Sequence, residues 1–221
     1  MDSRAAAAEA VRMAQAPLDD ARSSFGILFA SPKHDLGAAL AAAEQASGAA
    51  FVGCTTAGEI TEKGLTKGHL AVMVAARQLG AGFTRAAKAA AGQGFGMSST
   101  VLLVDGLNGV GEELVGHVLG ATRAFQQVVG GAAGDDGAFK ATYVGAAGRA
   151  STDSAAALHT FSRKPWGVGV DHGLRPTWRR MRVTRSHANV VQLIDGRPAF
   201  DVYKEFAASR GTKLTADNAG P

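Results

Sequence analysis

Cysteine is nearly missing from this chain. Cys54 stands alone, so no intrachain disulfide can form, a usage that fits a reducing compartment. Long hydrophobic runs are missing as well. No apolar stretch approaches the roughly 20 residues that cross a bilayer. The alanine-rich start carries Asp2, Glu9, Asp19 and Asp20, which a secretory leader would not. Charge is sparse, at 19% of 221 residues with a net +4; the basicity is therefore local and is not the footprint of a general nucleic-acid binder. Aromatics make up only 6% against 29 glycines, so packing must rest on Ala, Val and Leu with close backbone approaches. No G-x-x-x-x-G-K-[ST] occurs, and none of the six histidines sits at metal-ligand spacing from another His or Cys. A zinc site is disfavoured. A haem needs a single axial histidine and stays open.

What is present is an alternation of short apolar runs and helical patterns, with 46% hydrophobic residues to build a core. Helices are expected over 3–16, from Ser31-Pro32 (serine cap, proline in the first turn) to Gly48, over 112–125, and from Pro198 through 206. Strands are expected over 25–30, 51–54, 70–75 with a hairpin partner at 80–86, then 100–104, 141–145, 155–161, 166–170, 177–186 and 190–194. Residues 89–98 read as a Gly/Ala-rich connector and 209–221 as a frayed tail. The order strand, helix, strand with glycines, strand, strand occurs twice. The fold class is therefore mixed α+β, with two β-α-β-β units related by a weak internal repeat and sheets covered by helices. The expected organisation is a lead-in over 1–24, one domain over 25–208 with halves at about 25–88 and 99–161, and the tail.

The repeat aligns two glycine-bearing strand ends. Val52-Gly53-Cys54-Thr55-Thr56-Ala57-Gly58-Glu59 matches Val129-Gly130-Gly131-Ala132-Ala133-Gly134-Asp135, one residue shorter, with Asp136 next. Glycines there permit a sharp turn or close approach, and the carboxylates could hold a ligand amine. The plainer reading is a turn closed by Asx hydrogen bonds. Cys54 could be a nucleophile with distant His172 as base, but free cysteine more often behaves as a small buried hydrophobe. The loop 105–111 leads from a strand into a helix, yet Glu112 and Glu113 in the first turn would repel a phosphate. Arg163, Lys164, Arg175, Arg179, Arg180, Arg182, Arg185 and Arg197 form a basic window facing only Asp171 and Asp195. Most such windows are solvated faces. Arg175, after Asp171-His172-Gly173 and before Pro176, is the best clamp for a ligand carboxylate.

Four ordered motifs then carry a resemblance: G-C-T-T-A-G-E-I at 53–60, G-G-A-A-G-D-D at 130–136, P-W-G-V-G-V-D-H-G-L-R-P at 165–176 and V-T-R-S-H-A-N-V-V-Q-L-I-D-G-R-P-A-F-D-V-Y at 183–203. Over about 25–206 the chain resembles the N-terminal domain of the FIST family of bacterial and archaeal signal-transduction proteins. The resemblance implies a non-catalytic, cytoplasmic sensory module for an amino acid or similar metabolite. It implies a histidine kinase, chemoreceptor or cyclic-dinucleotide enzyme as output partner; the missing apolar run argues against a membrane, and nucleic acid at the basic window is the weaker option because interleaved aromatics are scarce (Trp166 and Trp178 only). It also implies a second, C-terminal FIST domain starting near where this chain stops. Some members resemble haem-dependent nitric oxide sensors, which is the first rival reading; a Cys54-dependent enzyme is the second. The expected pocket joins Cys54, Thr55, Thr56, Gly58 and Glu59 with Gly130, Gly131, Gly134, Asp135 and Asp136, opposite His172, Gly173 and Arg175.

Overall fold

The computed structural model describes residues 2–18, 23, 25–61, 64–75, 83–121, 126–170, 180–187 and 189–215. They divide into two units, Met1–Val168 and Gly169–Pro221. The first unit opens with α1 (Ser3–Gln15), an alanine-rich helix whose cap, Asp2, accepts from the N–H groups of Arg4 and Ala5. β1 (Phe25–Ala30) and β2 (Ala50–Thr55) lie parallel, joined by the crossover helix α2 (Leu36–Ser47). A short hairpin of β3 (Glu59–Thr61) and β4 (Gly64–Thr66) follows, and β5 (Leu70–Ala75) returns antiparallel to β1.

The plan then repeats. α3 (Phe83–Gly92) leads into β6 (Met97–Val104), as α1 leads into β1. α4 (Gly111–Ala121) crosses to β7 (Gln126–Ala132), parallel to β6, and β10 (Ala155–Ser162) returns antiparallel to β6. The order β5-β1-β2 is thus matched by β10-β6-β7. Equivalent loop bonds confirm the register. Ser31 N–H donates to His69 O and Asp105 N–H to Ser154 O; Thr56 N–H donates to Ala30 O and Ala133 N–H to Val104 O. Thr56 is therefore the counterpart of Ala133, and the extra residue of the first copy falls at Gly58. The copies differ in one respect. The hairpin β8 (Val144–Ala146) and β9 (Arg149–Ser151), encoded in the second copy, adds to β2 of the first and completes a five-stranded sheet, β5-β1-β2-β8-β9.

Strand alternation sorts the side chains into two cores. Leu28 and Ala30 of β1 and Phe51 of β2 face α1 and α2, where Leu36, Ala39, Leu40, Ala43, Ala7 and Val11 are all buried. Each such leucine contributes about 1.5–3 kcal/mol by leaving water. Gly26 makes room there, since a Cβ on it would lie 2.1 Å from the Phe51 ring. Phe25, Ile27, Val52 and Cys54 point the other way, onto Val101, Leu103, Ala156 and Leu158 of the second sheet.

The structure corrects several expectations about elements. Residues 89–98, expected as a connector, hold the end of α3 and the start of β6. α2 is capped by Asp35, not Ser31, because the Asp35 carboxylate reaches Ala38 N–H at 2.9 Å. Residues 83–86 are helical, not a strand, and 80–82 lie outside the described residues. Alanine fills half of α3, and its helix propensity prevails there. No strand forms over 166–170. Trp166 instead stacks on Phe25 with centroids 6.3 Å apart, and its carbonyl accepts from Gln127 Nε2 at 2.8 Å.

The second unit is an antiparallel sheet of β11 (Val183–His187), β12 (Val190–Ile194) and β13 (Arg197–Pro198), with α5 (Ala199–Ser209) beginning directly after Pro198. Asp195 and Gly196, at φ of 49° and 77°, form a tight turn between β12 and β13. Arg197 makes a two-pronged ion pair with Glu205. Among the described residues no helix is long and apolar enough to cross a membrane.

Candidate functional site

The two glycine-bearing strand ends meet. Gly134 N–H donates to Thr55 O at 2.8 Å, and a Cβ on Gly134 would lie 2.9 Å from Ala57 N. Only glycine lets the second turn seat on the first. Thr55, Thr56, Gly134, Asp135 and Asp136 share a neighbourhood at the carboxyl ends of β1, β2 and β7.

Their side chains are largely committed to the fold. Asp135 is buried, and its carboxylate accepts from the N–H groups of Phe139, Lys140 and Ala141 at 2.9, 2.6 and 3.2 Å. These bonds, that from Lys140 foremost, hold its pKa below the usual carboxylate value. Glu59, the matching carboxylate, is 2% exposed and accepts from Thr56 Oγ1 at 2.8 Å and His69 N–H at 3.3 Å. Each carboxylate pins the loop that follows its strand. Asp136, at φ 59°, accepts from Ser31 Oγ at 3.1 Å through Oδ2. Its buried Oδ1 has no hydrogen-bond partner among the described residues. Thr55 and Tyr143 exchange backbone and hydroxyl bonds, Thr55 N–H to Tyr143 O at 2.9 Å and Tyr143 N–H to Thr55 Oγ1 at 3.0 Å.

Cys54 faces the core between the sheets, and burial pushes its thiol up to about 12. At neutral pH it keeps its proton and is a poor nucleophile. A thiol electrophile at pH 7 is expected to leave native protein unlabelled and to label it one-to-one in denaturant; stoichiometric labelling of the native chain would revive the nucleophile reading.

Beside Thr55 a cleft of ≈ 340 Å³ opens, lined by Pro32, His34, Asp35, Leu36, Gly37, Thr55, Tyr143 and Ala150. It lies at the N-terminus of α2 and the carboxyl end of β2. Of the residues singled out from sequence, Thr55 lines it. The others were missed, although the position just after the first strand of a β-α-β unit is where such folds place ligands. His34 is buried with its Nδ1 3.3 Å from Ser3 Oγ. His172, Gly173 and Arg175 lie outside the described residues. Among the described residues no group of three or more His, Cys, Asp or Glu could hold a metal.

Residues 24–197 match the family model of the FIST N domain. The chain belongs to the FIST family. No curated protein and no solved structure matches it. FIST domains are sensory modules of signal transduction and not typically catalysts, and the chain is such a module. The FIST match begins just ahead of β1 and ends within β13, so it covers both copies of the repeat and most of the small sheet.

Proposed function

We propose that this FIST domain senses a small metabolite, an amino acid or one of similar size, in the cleft between the start of α2 and the Thr55–Tyr143 pair, as a bacterial cytoplasmic protein. The cleft itself carries the reading. Its volume suits such a ligand, it sits at the carboxyl end of a parallel strand pair, and its lining mixes the Asp35 carboxylate with the apolar Leu36 and Ala150. Asp35, which lines the cleft, faces the ligand amine. The Cys54–Glu59 and Gly130–Asp136 turns serve as the scaffold that holds Thr55 and Tyr143 in place. Binding shifts the balance between two conformations of the cleft, which a histidine kinase, chemoreceptor or cyclic-dinucleotide enzyme reads.

The test is a panel of amino acids and related metabolites titrated into the full chain by calorimetry. At least one is expected to bind, and Tyr143→Ala is expected to weaken it about tenfold or more; that change spares the backbone bonds to Thr55. No binding across the panel, or equal affinity in Tyr143→Ala and Ala150→Leu, would sink the assignment.

A further inference from the structure

The internal repeat shows how each sheet treats its outer strand, and the two copies differ. In the first, β2 is covered by β8, which pairs antiparallel as Val52↔Ala146, Gly53↔Gly145 and Cys54↔Val144. In the second, the equivalent strand β7 ends the sheet, and no described strand pairs with its far side. The hairpin that would correspond by symmetry, β3–β4, pairs only with itself among the described residues.

Backbone parity decides which groups of β7 point outward. Ala133 N–H donates inward to Val104 O, so Val128, Gly130 and Ala132 turn their N–H and C=O groups to the open side. The first copy obeys the same rule: Thr55, the counterpart of Ala132, donates outward to Tyr143 O. Gly130, Gly131 and Ala132 are exposed. The strand Q-Q-V-V-G-G-A carries none of the charges or prolines with which proteins usually blunt such an edge.

We infer that β7 is a dimerisation edge, where two copies of this chain pair antiparallel through residues 128–132 with Gly130 opposite Gly130 of the partner subunit. That register repeats the glycine-opposite-glycine bridge of Gly53 and Gly145. It sets Val129 opposite Gly131 and Val128 opposite Ala132, so no bulky or like-charged pair meets across the axis. The strand is therefore complementary to itself, which an isologous twofold contact requires. Beside the edge, Gly111, Val115 and Gly130–Ala132 line an apolar groove of ≈ 240 Å³, and Val115 is partly exposed. Pairing at β7 brings the two copies of this groove together across the joined sheet.

Sedimentation velocity on the full chain tests this. A dimer of twice 22.5 kDa is expected, with the Gly130 and Ala132 amides protected from hydrogen exchange at high concentration and unprotected on dilution. Ala132→Pro removes one outward N–H and leaves the β6 ladder intact. Gly131→Lys places a charge on the edge at a position where a Cβ meets nothing within 4 Å. Each is expected to weaken the dimer about tenfold or more with an unchanged far-ultraviolet circular dichroism spectrum, and the lysine variant carries the test if the proline variant fails to fold. A wild-type chain that stays monomeric at every concentration, or a dimer indifferent to Gly131→Lys, overturns the inference.

Discussion

Replacing Gly130 by alanine is expected to cost about 3 kcal/mol or more, while the same methyl at Gly131 stays within about 0.5 kcal/mol of wild type. The two residues are neighbours on one strand, so intrinsic propensity predicts nearly equal effects. Geometry separates them. A Cβ at Gly130 would lie 1.7 Å from the carbonyl oxygen of Leu102, a main-chain atom of the paired strand, and 2.6 Å from the carbonyl carbon. Neither can turn aside as a side chain would. β6 and β7 must part, and the ladder from Ser98↔Gln126 to Val104↔Ala132 loses its register. At Gly131 an added Cβ meets nothing within 4 Å. For a chain of this size the Gly130 variant should melt about 6–12 °C below wild type, read as loss of circular dichroism on heating. Equal melting temperatures for the two variants would show that the close approach is not maintained in solution.

Asp135→Ala is the second large effect, expected at about 3 kcal/mol, because three backbone N–H groups lose a charged acceptor. Asp135→Asn should recover part of it by keeping one acceptor oxygen. The carboxylate also gives the effect a pH signature. Its pKa is depressed in the folded chain, so the unfolded state binds a proton more readily. The stabilisation is then complete above the unfolded pKa of about 4 and is lost as pH falls through the lower folded value. Asp105 contributes in the same direction: burial alone would raise its pKa, but bonds from Leu107 and Asp153 with others nearby lower it overall. Urea midpoints of wild type and Asp135→Ala should converge as pH drops below about 4. A gap that persists there would mean that the alanine acts through packing and not through the lost charge.

Much of the fold could be read from the residues. The runs F-G-I-L-F-A and V-L-L-V are apolar throughout because β1 and β6 are buried on both faces. The paired glycine-bearing strand ends exposed the repeat. What escaped reading was non-local or competitive. Nothing in V-G-A says that β8 will leave its own copy and add to β2. Ser31-Pro32 is a plausible helix start until Asp35, four residues on, supplies the better cap. The candidate site was legible in its scaffold more than in its lining. Glu59 and Asp135 drew notice as carboxylates next to glycines, and that pairing does mark the structural locus. Whether such a group faces solvent or its own loop depends on the path of the next six residues. For Asp135 the path from Phe139 to Ala141 folds three N–H groups onto it.

The transfer of β8 and β9 to the first copy has a consequence for the order in which the chain is made. The sheet edge at β2 is complete in sequence by Thr55, yet its neighbour is encoded only at Val144–Ala146. On the ribosome, that edge must wait for roughly ninety further residues, at about 5–20 residues per second. For those seconds the nascent chain presents an uncharged strand, A-F-V-G-C-T, with one side unpaired. During that interval the β2 edge is open to wrong pairing with other nascent chains, and a chaperone has a strand to shield.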